Sequence, residues 1–216
     1  MNKVVKFGGS SLASAKQFKK VKDIIMADKS RRYVIPSAPG KRSNKDDKVT
    51  DLLYACYDAA SEGHSYKKIF DTIVSRYEQI IEGLNLNINL DYEFKAIEEN
   101  FLAKKGRDYA ASRGEYLNGI IMAAYLEYEF IDAADVICFD ADGSFLPEKT
   151  NQELSNRLAK APKAVIPGFY GSMPDGSVKT FSRGGSDITG SLVARAIHAD
   201  LYENWTDVSG FLVADP

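Results

Sequence analysis

The chain has 216 residues, 44% of them hydrophobic, and 28 lysines and arginines against 30 aspartates and glutamates give it a formal net charge of -2. That length supports one substantial core, and the balanced charge lays no field of one sign over the surface, so neither nucleic acid nor membrane is expected as a partner. Cys56 and Cys138 stand far apart, fit neither a disulfide framework nor metal spacing, and read as buried thiols; with no apolar run of membrane-span or signal-peptide type, a cytoplasmic protein is expected.

Val4 to Phe7 is a short apolar run that breaks into Gly8, Gly9, Ser10 and Ser11, and Phe18, Val21, Ile24 and Ile25 follow at helical spacing. Strand, glycine turn, helix is the predicted order. Tyr33, Val34 and Ile35 form a second strand ending in a Pro- and Gly-containing turn, and a charged loop runs to Asp47 before helical periodicity resumes at Val49. Residues 64–105 are helical and charged with a break at Gly83, which predicts an inserted helical pair laid on the sheet core. An amphipathic helix is predicted from Glu115 through Ala124, a strand over 135–139, a helix around Leu154 and Leu158, and a strand over 164–166. A hairpin at Pro174, Asp175 and Gly176, a helix through Leu192 and Ile197, and a strand over 201–205 complete the series. The alternation implies an α/β fold with a mostly parallel central sheet and helices on both faces. The chain ends at Pro216 without a closing helix, which is expected to be a cut within a longer domain.

Several motifs are excluded by their spelling. Ile35 occupies the place of the first glycine of a Walker A loop before Gly40 and Lys41, and an EF-hand reading of Asp140 to Gly143 would start at Cys138 and end at Lys149. His64, in a turn, and His198, on a helix, have no metal-ligand neighbours in sequence. Chemistry in this chain is therefore expected to proceed without histidine or thiolate.

Four clusters remain. Glycines after a strand let backbone N–H groups approach an anion, and in Lys6-Phe7-Gly8-Gly9-Ser10 a lysine stands beside that turn; a plain turn with a solvated lysine is the bland alternative. Arg183-Gly184-Gly185-Ser186-Asp187 repeats the logic with an arginine, and Ser186 or Asp187 suits a helix cap. In Ser112-Arg113-Gly114-Glu115 a helix start carries an acid, suited either to the helix dipole or to an ammonium group. Thr206 and Asp207 follow a strand, where α/β sheets bind ligands, unless they form a simple Asp turn.

In this order and spelling the clusters resemble the amino-acid kinase superfamily, and in detail the aspartokinases, over most of the chain. The resemblance implies a carbamate kinase-like fold across residues 1–216 and ATP- and Mg2+-dependent phosphorylation of the β-carboxylate of L-aspartate to 4-phospho-L-aspartate. That reaction opens the lysine, threonine and methionine branch of amino-acid biosynthesis. It implies Lys6 at the transferred phosphoryl, Gly8, Gly9 and Ser10 along the phosphate path, and Asp187 orienting Lys6. It implies further Arg183 on the substrate α-carboxylate, Glu115 on its ammonium, Ser186 and Thr50 as supporting substrate contacts, and Thr206 and Asp207 facing the nucleotide. Magnesium would be held mainly by the phosphates, with no dedicated protein ligands. The family continues beyond an Asp-Pro pair into regulatory ACT domains, which are expected to lie outside this chain, and its full-length members are expected to be homo-oligomers. A kinase of the same fold acting on another carboxylate such as acetylglutamate, and a non-catalytic nucleotide-binding module, are the alternatives.

Overall fold

The structure is a computed structural model that describes residues 1–182 and 184–206. Along them run β1 (Lys3–Phe7), α1 (Ala15–Met26), β2 (Arg31–Pro36), α2 (Val49–Ser61), α3 (Lys67–Gly83), α4 (Asp91–Leu102), α5 (Arg107–Leu126), β3 (Glu129–Phe130), α6 (Pro147–Leu158), β4 (Ala164–Val165), β5 (Tyr170–Ser172), β6 (Val178–Thr180), α7 (Gly185–Ala196) and β7 (Leu201–Trp205). Five strands form one parallel sheet in the order β3-β4-β2-β1-β7, and β5 and β6 form a separate antiparallel hairpin.

Alternation along the central strands sorts side chains between the two faces. Val5, Phe7 and Val34 belong to a core shared with α1 to α5, whereas Val4, Tyr33 and Ile35 belong to a second core shared with α6 and α7. The same alternation puts Lys6 on the Val4 face, toward α7. Both faces are covered, as a parallel sheet requires.

The structure corrects several expectations. Residues 135–139 do not form a strand of the sheet: a 3₁₀ turn at Ala133–Asp135 leads into isolated bridges from Cys138 to Ser172 and from Phe139 to Phe145. The Asp132 carboxylate accepts from Ala134 N and from the Tyr170 hydroxyl, which bends the chain here, and Val136, Ile137 and Phe139 serve as core filling. The short β3 was not foreseen. Helix α5 starts at Arg107, after Gly106 at φ 101°, and is buried on nearly every side instead of amphipathic. Cys56 is buried, with its thiol pushed up to about 12 by burial, but Cys138 is only half-buried, and His198 sits in the turn after α7.

Candidate active site

The C-terminal ends of β1, β2 and β7 lie side by side, the edge at which parallel α/β sheets bind ligands. Beyond the strands the ladder continues for one more step, with Gly8 N donating to Trp205 O at 3.1 Å and Ser37 N to Phe7 O at 3.1 Å. A cavity of about 660 Å³ opens at this edge. Its walls are Gly8, Gly9 and Ser10 after β1, residues 37–44 after β2, Lys48 and Thr50 at the start of α2, Glu115 of α5, and Thr206 after β7.

The floor depends on two glycines in direct backbone contact. Gly40 N donates to Gly9 O at 2.8 Å, and a Cβ on Gly9 would stand 2.8 Å from Ala38 O, while one on Gly40 would stand 2.6 Å from Gly9 C. Side chains cannot enter that junction without moving backbone, so it leaves peptide groups as the surface a ligand meets. The first donors past Gly8 belong to a 3₁₀ turn, Gly9–Leu12, since α1 begins only at Ala15.

Glu115 enters the same cavity from the interior of α5. The sequence places it in a first helical turn, but the structure places it beyond the second turn, where the helix dipole does not reach it. A Cβ on Gly114 would lie 2.8 Å from the Ala38 side chain, so glycine there lets α5 press against the turn after β2 and delivers Glu115 to the cavity. Glu115 is 6% exposed and its Oε2 has no hydrogen-bond partner among the described residues. Burial pushes its carboxyl up to about 7, against the opposing pull of a backbone hydrogen bond from Ala38 and the charge of Arg113. A buried carboxyl with a vacant oxygen is suited to a cationic ligand group, which would supply the missing partner.

Lys6 stands on the α7 side of the edge. Its ammonium is 3.0 Å from Asp187 Oδ1, which also accepts from Asn204 Nδ2 at 2.9 Å, and it reaches within 4.0 Å of where a side chain on Gly8 would begin. Lys6 and Asp187 therefore meet beside the cavity but outside its lining. Ser186 is buried next to Gly168, also outside the lining, and neither Ser186 nor Asp187 caps α7; Gly184 takes the N-cap place, in the left-handed region at φ 57°. Gly8, Gly9, Ser10, Thr50, Glu115 and Thr206 are brought together around the one cavity. Arg183 and Asp207 lie outside the described residues.

Other residues at the site went unnoticed in the sequence. Asn118, one helical turn after Glu115, donates to Ser37 O at 2.6 Å and ties α5 to the turn after β2; its spacing from Glu115 was the available signal. Arg113 is buried, with its guanidinium 4.3 Å from the Tyr116 ring centre, 4.7 Å from that of Tyr109 and 5.4 Å from that of Tyr170. Cation–π contact with three rings replaces an acidic partner there. Among the described residues no three or more His, Cys, Asp or Glu side chains are grouped to hold a metal ion, and no helix is long and apolar enough to cross a membrane.

The chain is 39% identical over 229 residues to aspartokinase 3 of Bacillus subtilis, an alignment that takes in 99% of this chain and 50% of the relative. It superposes on the crystal structure of Clostridium acetobutylicum aspartate kinase with a TM-score of 0.94 and 55% identity, covering 99% of this chain and 49% of that one. Escherichia coli aspartokinase III, solved in complex with aspartate and ADP, matches with a TM-score of 0.82 and 25% identity over 97% of this chain and 50% of its own. The chain thus spans about half the length of these relatives. The family model described as "Amino acid kinase family" matches residues 1–216. With the parallel sheet, the glycine junction at its C-terminal edge and this match over its whole length, the chain belongs to the amino acid kinase family.

Proposed function

We infer that the chain carries the site for transfer of the γ-phosphoryl group of Mg-ATP to the β-carboxylate of L-aspartate, giving 4-phospho-L-aspartate, the first step toward the aspartate-derived amino acids. The observation that carries this reading is Glu115: a buried carboxyl with an unpartnered oxygen, lining the cavity that the glycine turn of β1 also lines. It suits a substrate with a free α-ammonium, and an N-acylated acid would leave it unpaired.

The accepting carboxylate has an ordinary pKa of about 3.9 and is ionised at neutral pH, so no general base is needed. The task is to bring two anions together and stabilise charge on the group in transfer. Lys6, held by Asp187 at the open side of Gly8, is assigned to that charge. Peptide N–H groups of Gly8, Gly9 and Ser10 are assigned to phosphate oxygens. Thr50 and Ser186 are assigned to support of the substrate, and Thr206 to the nucleotide. Arg183 and Asp207, which lie outside the described residues, are assigned on motif alone, to the substrate α-carboxylate and to the nucleotide. Magnesium enters with ATP, held by phosphate oxygens.

Hydroxylamine trapping tests this reading. The natural full-length protein, given Mg-ATP and separately aspartate, acetylglutamate or glutamate, is expected to form hydroxamate with aspartate alone. Hydroxamate from another acid would reassign the substrate, and none from any acid would leave a nucleotide-binding module.

A further inference from the structure

One guanidinium closes both ends of the loop that walls the cavity. Arg76, from the middle of α3, donates through Nη2 to Gly40 O at 2.6 Å and through Nη1 to Asp47 O at 2.7 Å. The segment between those carbonyls supplies Lys41, Arg42, Ser43 and Asn44 to the cavity wall. Its own Arg42 and Asp46 pair at 2.8 Å, and Arg42 Nη1 adds a second link to α3 at Gln79 Oε1, 3.1 Å away. Gly40 is also the residue whose N–H holds Gly9 O, so the guanidinium is one peptide unit from the phosphate-facing junction.

Arg76 is an expensive way to fill space. It is 3% exposed, its Nε has no hydrogen-bond partner among the described residues, and its nearest carboxylate, Asp46, stands at 3.6 Å. Burying a charge against so loose an ion pair is costly, and an apolar side chain of similar volume would fill the site without that cost. An apolar residue can bond neither carbonyl, and a lysine would have to serve both from a single nitrogen, whereas the planar fork gives each carbonyl its own.

We propose that Arg76 is a positioning residue of the phosphoryl-transfer site: by stapling Gly40 and Asp47 to α3 it fixes the Gly9–Gly40 junction and the basic wall of residues 41–44 in the geometry the reaction needs. The inference rests on the kinase reading for its kinetic consequence, but the staple itself does not.

The test uses the natural full-length protein with Arg76→Met and Arg76→Lys, each assayed at a temperature where circular dichroism shows it fully folded. Two quantities are measured: amide exchange of peptides covering 38–48 and 69–80, and kcat/KM for aspartate and ATP. Both variants are expected to lose protection in 38–48 but not in 69–80, and to lose kcat/KM by about tenfold or more, the scale of a misplaced reacting group. Wild-type exchange and kinetics in folded Arg76→Met would overturn the proposal, as would full rescue by Arg76→Lys, which would reduce the role to charge. Should Arg76→Met fail to fold, Arg76→Lys decides by the same two readouts. If the wild type itself phosphorylates no acid, the kinase reading fails, and the staple is judged by exchange alone.

Discussion

The ammonium of Lys6 and the carboxylate of Asp187 lie 3.0 Å apart, joining the interior strand β1 to the first turn of α7, while Asn204 of β7 donates to the same carboxylate oxygen. The Asp187 side chain is 46% exposed, so the pair adds little to stability and its effect is to aim the lysine. Lys6→Ala is expected to lower kcat by ~10²–10³-fold, the scale of losing one preorganised electrostatic donor, with little change in Tm. Asp187→Asn should lower kcat less, and Lys6→Ala/Asp187→Asn should be no worse than Lys6→Ala. Independent, multiplying losses in that cycle would separate the two residues.

Glu115 sets function against stability. Its folded value of about 7 lies above the ordinary 4.5, so between those values the folded chain keeps a proton that the unfolded chain has released. The contribution of Glu115 to stability is therefore greatest below 4.5 and falls as pH rises toward 7, above which its whole penalty is present. Glu115→Gln is expected to be more stable than the wild type at pH 8 by on the order of 2–3 kcal/mol, with no advantage at pH 4.5. Denaturant unfolding at both pH values measures this.

The same carboxyl should govern substrate capture. An ammonium ligand needs Glu115 ionised, so kcat/KM for aspartate is expected to fall by about tenfold per pH unit below pH 7, the slope of a single protonation. In Glu115→Gln that step should be missing, leaving only titrations of ATP and of other groups. An unchanged profile in the variant would assign the step elsewhere.

Gly8 and Gly9 should respond differently to alanine. A Cβ on Gly8 meets nothing closer than Trp205 O at 3.8 Å, and its φ of -70° suits any residue, so Gly8→Ala should fold with stability within about 0.5 kcal/mol of the wild type. Its methyl would stand beside Lys6 Nζ, so the KM for ATP should rise. Gly9→Ala drives a methyl into Ala38 O and Gly40 N, and should cost about 1–3 kcal/mol, as overpacking does. Thermal melts and ATP kinetics of the two variants make the comparison.

The parallel sheet and the glycine turn were legible because they rest on short-range signals: apolar strand runs, a break into Gly8 and Gly9, and helical periodicity in between. The run over 135–139 misled because an apolar segment with strand composition can equally fill a core, and Asp132 and Tyr170 decide the matter from outside it. The depth of Glu115 within α5 was partly legible: Gly106 marks a helix start at Arg107, whereas an acid by itself suits a first turn and points to a later start. Arg76 carried a readable signal, lying on the face of Phe70, Ile73, Tyr77 and Ile80, where a buried charge needs a reason. Its partners, Gly40 O and Asp47 O, are main-chain atoms far along the sequence, which no residue pattern announces. Of the tyrosines around Arg113, Tyr109 and Tyr116 lie one turn away on α5 itself, and only Tyr170 of β5 is brought there by the fold.

Succinate is aspartate without its amino group, and adds no bulk that could obscure the comparison. The ratio of kcat/KM for aspartate to that for succinate, measured in the wild type and in Glu115→Gln, is the most direct test of a kinase whose buried acid selects a free ammonium. A wild-type ratio of about 10³ or more, the scale at which unpaired buried polar groups reject an analogue, is expected, collapsing toward one in the variant. A high ratio that survives the loss of Glu115, or a wild type that accepts succinate as readily as aspartate, would contradict the account.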